Sequence, residues 1–228
     1  MFTAYPTYNP YRSLYDRTED GLPLLSGEDV FGLQCALNAI VRAGLVLDGV
    51  LGPKTGAQIW VLQAALSLEQ DGVAGSVTQR AIDLFLLTRA GASKGTKLYK
   101  LGKGAFERES LYIIGNYSPP RDNNTFDAGV VQRNSQFHSL EASFDPVGSI
   151  EAWLEHTRKA FALYADTSKF RDTGYTYSDA KRRYKLAGGA WNAPYIANYY
   201  AGITPAVTPS AEGAAAFLDY VEGVGVYL

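Results

Sequence analysis

A few side chains in this sequence have the types and the order that bond-breaking chemistry requires. Glu109 falls on a helical stripe with Leu98, Leu101, Ala105 and Tyr112. A carboxylate on such a face is unusual, because an unpaired buried charge is costly. Apolar surroundings raise a carboxylic acid's pKa, and an acid so placed can donate a proton near neutral pH. Ser110 follows it directly. Gln132 and Asn134 stand in Gly129-Val130-Val131-Gln132-Arg133-Asn134, and Ala190-Trp191-Asn192 comes later, with Tyr195, Tyr199 and Tyr200 close behind. Asp127 is the first candidate for a second carboxylate and Asp122 the next, although either equally suits a turn. Glu107 competes with Glu109. The two lie on different helix faces, and the apolar stripe and adjoining serine favour Glu109. A solvated face beside Arg108 would account for either glutamate without chemistry.

The elements that must carry these residues read as helices. From Leu98 onward few stretches alternate with period two, so this part is expected to be mainly α. Ile150, Trp153, Leu154, Thr157, Phe161 and Tyr164 make one amphipathic helix, with Ser149 near its start. Ser178 precedes a run through Tyr184, Ala187 and Ala190. Ala211 to Val221 closes the chain with a Phe217, Leu218 and Val221 face. Gly188-Gly189 reads as close helix packing or a helix end.

The first hundred residues contain a repeat. Asp48-Gly49-Val50-Leu51-Gly52-Pro53-Lys54-Thr55 matches Asp71-Gly72-Val73-Ala74-Gly75-Ser76-Val77-Thr78, a spacing of 23. Leu33-Gln34 and Leu62-Gln63 recur 29 apart, each with a leucine three residues after the glutamine. Val30, Leu33, Leu37, Ile40 and Val41 share a helical stripe, and Ile59, Leu62 and Leu66 share another. Ser26-Gly27-Glu28-Asp29 and Ser76 with Gln79 resemble capping boxes. Asp-Gly makes a tight turn, and Pro53 suits a first helical turn. Three helices are expected over roughly 28–43, 53–67 and 76–88. Residues 1–25, rich in Tyr and Pro, read as a loosely ordered arm. Residues 90–97 have linker composition, small and polar with glycine.

The repeat resembles the three-helix peptidoglycan-binding domain found on cell-wall hydrolases. Glu109-Ser110, Gly129-x-x-Gln132-x-Asn134 and Ala190-Trp191-Asn192 resemble the three motifs of soluble lytic transglycosylases and goose-type lysozymes, in order and spacing. Arg133 departs from the apolar residue usual in the second motif. Together they resemble a phage endolysin, with an arm over 1–25, a binding domain over 26–89, a linker over 90–97 and a lysozyme-like α-helical catalytic domain over 98–228. The resemblance implies cleavage of the β-1,4 bond between N-acetylmuramic acid and N-acetylglucosamine, by lytic transglycosylation or hydrolysis, with Glu109 as general acid. Ser110, Gln132, Asn134, Trp191, Asn192 and Tyr195 would contact the saccharide. Asp127 would act only if a water must be positioned. The alternative is a wall-binding or virion structural protein whose lysozyme fold has lost catalysis.

Composition limits other classes. The chain has 228 residues, 46 % hydrophobic and 19 % charged, which suits a globular protein with a sizeable core. Its 16 Tyr, 10 Phe and 3 Trp suit either a core or a stacking surface. Lys+Arg number 21 against 23 Asp+Glu, so no strongly basic surface for nucleic acid is expected. A single cysteine, Cys35, excludes an internal disulfide and reads as a packing residue. His138 and His156, 18 apart, make no zinc motif. No cofactor or metal is expected. Peptidoglycan is the expected partner, the chain is expected to be a monomer, and stable membrane insertion is not expected. Met1 to Asp20 lacks the order of a secretory signal. The expectation is storage in the host cytoplasm before lysis and action at the wall in the periplasm.

Overall fold

The computed structural model describes Pro6 and residues 8–121, 126–203 and 208–228. Asp122, the lesser carboxylate candidate, lies outside the described residues. The chain is mainly helical, as its patterning predicts. In order run β1 (Leu25–Ser26), α1 (Glu28–Val41), β2 (Val50–Leu51), α2 (Pro53–Ala65), α3 (Ser76–Arg89), α4 (Lys97–Ser110), β3 (Asp127–Ala128) and β4 (Arg133–Asn134). Then follow α5 (Leu140–Phe144), α6 (Pro146–Leu163), α7 (Asp179–Gly189), α8 (Pro194–Tyr200) and α9 (Ala211–Val224). The chain divides into two compact units, Met1–Leu86 with Glu109–Ile150, and Leu87–Arg108 with Glu151–Leu228.

The repeat of the first unit has a physical basis in two buried glutamines. Gln34 on α1 donates from Nε2 to Asp48 Oδ1 (2.8 Å), to the Val50 carbonyl (3.1 Å) and to Thr55 Oγ1 (3.4 Å), while its Oε1 accepts from Gly49 N (2.9 Å). Gln63 on α2 repeats this at the next turn. It donates to Asp71 Oδ1 (2.6 Å), the Val73 carbonyl (3.1 Å) and Thr78 Oγ1 (3.3 Å), and accepts from Gly72 N (2.9 Å). Each aspartate also accepts from the N–H two residues on, Val50 at 2.9 Å and Val73 at 2.8 Å. These bonds hold both aspartates below the usual carboxylate range. Gly49 and Gly72 take φ 69° and 72°, which an L side chain rarely adopts. The motif thus spaces a helix, a turn and the next helix so that one amide satisfies all three. A buried amide without partners would be costly, and here its groups are paired.

Residues 8–25 are part of this construction rather than a loose arm. Leu25 pairs with Leu51 in an antiparallel ladder, and Leu14 pairs with Ala74, the equivalent position of the second repeat. Arg12 forms a two-pronged ion pair with the buried Asp29, Nε to Oδ2 and Nη2 to Oδ1 both at 2.7 Å, and its guanidinium lies over the Tyr8 ring. Tyr8 Oη donates to the Gly115 carbonyl at 2.9 Å. Desolvation of both partners is offset by paired geometry of this kind. The expected capping box at Ser26–Asp29 does not form. Gly27 is the N-cap with no side-chain bond, because Asp29 is committed to Arg12. Gln79 likewise donates to the Ala74 carbonyl and accepts from Ile114 N instead of closing a box with Ser76.

The units are not consecutive along the chain. Residues 109–150, expected with the later domain, pack in the first unit. Phe126 and Ala128 join Phe31 of α1 and Phe144 of α5 in one apolar cluster, with Cys35, Tyr117 and Leu140 at its edge. Cys35 is a packing residue, and burial pushes its thiol up to about 12. In the second unit, Trp153 is fully buried edge-on to Phe106. Gly189 lets α7 meet α9, since a Cβ there would lie 2.4 Å from Val221 Cγ1. Lys185 pairs with Glu222 at 2.7 Å, and Tyr177 donates its hydroxyl to the same carboxylate. Ser178, which precedes the helical run in sequence, caps α7. The expected linker is a turn within the second unit: Ala92 is buried, Gly91 accepts from Arg158 (3.0 Å), and Thr96 accepts from Tyr99 N at the start of α4.

Two stability outcomes follow. Gln63→Leu leaves the buried Gly72 N–H without its acceptor and removes the amide donor to Asp71, and is expected to cost about 1–3 kcal/mol in urea unfolding. Asp83 is fully buried, both its oxygens lack partners, and burial raises its carboxyl well above 3.8. The folded chain therefore keeps this proton where the unfolded chain loses it. Its contribution is whole below the unfolded pKa and is lost as pH rises through the folded one, by about 1.4 kcal/mol per pH unit. Asp83→Asn should flatten this slope, matching wild type near pH 4 and exceeding it at pH 8 in denaturation midpoints.

Candidate functional site

Glu109 and Ser110 are the last two residues of α4. Ser110 is buried and Glu109 half-buried. The expected stripe through Tyr112 stops short, because the helix ends at Ser110. Leu111 and Tyr112 then take φ 53° and 61°, two successive non-glycine residues in the left-handed region. Such backbone persists only where its surroundings fix it. Tyr112 is buried with the Arg80 guanidinium over its ring, Ile113 N donates to the Ser110 carbonyl (3.0 Å), and Ile114 N donates to Gln79 Oε1 (3.0 Å). Gly115 follows so closely against α1 that a Cβ would lie 2.2 Å from Asp29 Cβ. The turn after Glu109 is thus built into the first unit. Glu107, the competing acid, accepts from the Tyr227 hydroxyl in the second unit.

Asp127, Gln132 and Asn134 come together in the β3–β4 hairpin. Asp127 stands opposite Asn134 in register. Asn134 Nδ2 donates to Asp127 Oδ1 (2.9 Å), and Asn134 Oδ1 accepts from Gln136 N (2.9 Å). Arg121 forms an ion pair with Asp127 Oδ2. Ser118 brackets the same residue, its N donating to the Asp127 carbonyl (2.8 Å) and its Oγ accepting from Asp127 N (2.9 Å). Gly129 starts the turn at φ 79°, and a Cβ there would lie 1.8 Å from the Ser143 carbonyl oxygen. Gln132 ends it at φ 50°, with Nε2 donating to the Gly129 carbonyl at 2.8 Å. The amides expected to face a sugar therefore also hold their own hairpin. Arg133 donates to the Ala142 carbonyl (3.0 Å) and pairs with His138 Nδ1 (3.1 Å), fixing the hairpin to α5. Burial and the Arg133 charge lower the His138 pKa.

Trp191, Asn192 and Tyr195 belong to the second unit, where Ala190 caps α7 and Pro194 opens α8. Trp191 is half-buried, edge-on to His156, whose Nε2 meets the Ala190 carbonyl at 3.1 Å. His156 is thereby a packing residue. Asn192 and Tyr195 are exposed, Tyr195 at 54 %. Among the described residues, no group of three or more His, Cys, Asp or Glu side chains could hold a metal.

The first unit also carries two grooves beside the repeat turns. One, of about 880 Å³, runs along Ala43, Leu45, Val46, Asp48, Val50 and Pro53, with Val46 highly exposed. The other, of about 540 Å³, brings Asp16, Glu19, Asp20 and Asp71 around Tyr15 and the exposed Trp60. Sequence reasoning missed Arg121, the ion-pair partner of Asp127, and read Arg133 only as a departure from the motif rather than as the tether to α5. Arginine partners across a loop have no fixed spacing.

No family model matches the chain. A stretch of 59 residues is 39 % identical to an uncharacterized protein in the bpoA1 3' region of Kitasatospora aureofaciens, covering 25 % of this chain and 50 % of that relative. The chain thus spans about half the length of the curated relative it matches. No solved structure matches.

Proposed function

We propose that this chain degrades bacterial peptidoglycan, with the repeat helices holding it to the wall and Glu109 as the acid that cleaves the glycan. One observation carries the reading. Glu109-Ser110 closes α4 on a strained, fixed turn, and the hairpin bearing Asp127, Gln132 and Asn134 follows in the same unit. Strained backbone of this kind gathers at functional sites. The 880 Å³ groove beside the first repeat turn supports wall binding, since binding sites are concave and largely apolar with a few polar groups.

In this mechanism the Glu109 carboxyl donates its proton to the glycosidic oxygen as the C1–O bond of N-acetylmuramic acid breaks. The C6 hydroxyl of the same sugar then attacks C1 and returns its proton to the Glu109 carboxylate, leaving an anhydro end. Asp127 is tied to the hairpin, one oxygen accepting from Asn134 and the other from Arg121, and the route proposed is the one that needs no second carboxylate. Arg133, the departure from the motif, has a tethering role in the fold, which removes one ground for a purely structural protein. The protein would act as a phage endolysin, stored in the host cytoplasm and released to the wall. No helix among the described residues is long and apolar enough to cross a membrane.

Two outcomes are expected. Wild type releases muropeptides with anhydromuramic ends from purified peptidoglycan, read by mass spectrometry. Glu109→Gln releases at least about a hundredfold less while sedimenting with the wall as before. Release of nothing by wild type would sink the enzyme and leave a wall-binding protein. Arg121→Gln frees Asp127 Oδ2, and an increased share of reducing ends would assign Asp127 the capacity to position water.

A further inference from the structure

We propose that a groove between α4, α6 and α7 of the second unit binds a phosphodiester of a polyol-phosphate polymer of the bacterial wall. The wall as the source of that anion rests on the peptidoglycan reading above; the preference for an anion does not. Charge is divided unevenly between the units. The first carries 7 Lys and Arg against 14 Asp and Glu, and the second carries 14 against 9. An anionic polymer is therefore drawn to the second unit. There Leu98 of α4, Arg158 and Phe161 of α6, and Tyr184 of α7 line a groove of about 140 Å³.

Three cations at this groove are oriented without being neutralised. The Phe161 and Tyr184 ring centroids lie 4.4 Å apart. The Arg183 guanidinium covers the Phe161 ring at 3.8 Å, and Lys97 Nζ lies over the Tyr184 ring at 5.1 Å. Arg183 also donates through Nε and Nη2 to the Phe161 carbonyl, at 2.9 and 2.6 Å, and Arg158 donates through Nη2 to the Gly91 carbonyl at 3.0 Å. Rings and carbonyls fix these side chains and leave their formal charges in place. Among the described residues, none of the three pairs with a carboxylate. Glu155, three residues before Arg158, is committed to Lys159 at 2.6 Å. A guanidinium has five N–H donors, so each arginine keeps donors for a phosphate, and bonds of that charged kind are the strong ones. The rings decide which phosphate fits. They are taken up with each other and with cations, which leaves no open platform for a nucleobase. Both are half-buried, so they do not project as membrane anchors do. A thin polyol chain can lay its CH groups on Leu98 and the rings and present its phosphate to Lys97 and Arg158.

The test is calorimetric titration of the full chain with poly(glycerol phosphate), alongside a DNA oligonucleotide carrying the same number of phosphates and vesicles of phosphatidylglycerol alone. Poly(glycerol phosphate) is expected to bind most tightly per phosphate, and to weaken at least about tenfold between about 50 and about 300 mM salt. Arg158→Gln and Lys97→Gln should each weaken it about five- to tenfold, the loss of one charged contact. Lys169→Gln removes the same charge from an exposed ion pair elsewhere in the unit, and should change it less than about twofold. Lys97 is exposed, so its variant keeps the test if Arg158→Gln fails to fold. No binding, tighter binding of the DNA or the vesicles, or equal weakening by Lys169→Gln overturns the site. Muropeptide release without binding of poly(glycerol phosphate) overturns the site and keeps wall cleavage. Binding without release keeps the site and overturns wall cleavage.

Discussion

The first unit depends on one interaction made twice, a buried glutamine amide closed over an Asp-Gly turn. Each amide joins the helix that carries it to the turn and to a threonine on the next helix. Removing the amide would leave donors and acceptors buried without water, so the three helices stand or fall with it. The order of the motif follows from this geometry. Glycine is needed where φ is positive, aspartate where a second acceptor must face both the amide and the following N–H, and threonine where the next helix begins. The strand pairings of residues 14 and 25 then fall at the same position of each repeat, Ala74 and Leu51.

The loop after Glu109 is anchored to this frame through side chains far away in sequence. Gln79 holds Ile114, Tyr8 holds the Gly115 carbonyl, and Asp29 closes against Gly115 while paired to Arg12. The same unit seats the hairpin, with Phe126 and Ala128 against Phe31 and Phe144. The proposed acid therefore stands at a turn whose strain is supported by the helices proposed to hold the wall. That arrangement makes a wall module cut out at residues 26–89 incomplete, since it would lack its strand partners on one side and its apolar cover on the other.

Much of the fold is legible in the spacing of residues along the chain. Helices expected at 28–43, 53–67 and 76–88 appear as Glu28–Val41, Pro53–Ala65 and Ser76–Arg89, because their apolar stripes repeat with the helical period and Asp-Gly and Pro53 punctuate them. The helical run after Ser178 is readable for the same local reason, and it appears as Asp179–Gly189. The capping box at Ser26 does not form, because Arg12 outcompetes the helix terminus for Asp29, a contest between distant residues. The stripe through Tyr112 fails similarly: periodicity continues past Ser110, but burial of Tyr112 and the Gln79 bond to Ile114 turn the backbone left-handed.

By itself the sequence determined the helical class, the repeat and its turns, and which polar residues stand out from their surroundings. These are local matters, set by side-chain spacing and by the φ that glycine and proline allow. Tertiary structure alone decided what each polar group is paired with. It gave Asp127 to Arg121 and Asn134, left Asp83 and Thr157 side-chain oxygens buried without partners, and packed residues 8–25 onto the repeat turns through the Leu14 bridge and the Leu25 pairing. It also assigned residues 109–150 to the first unit. Pairing depends on which surfaces meet after the chain folds back, and no spacing along the chain encodes that.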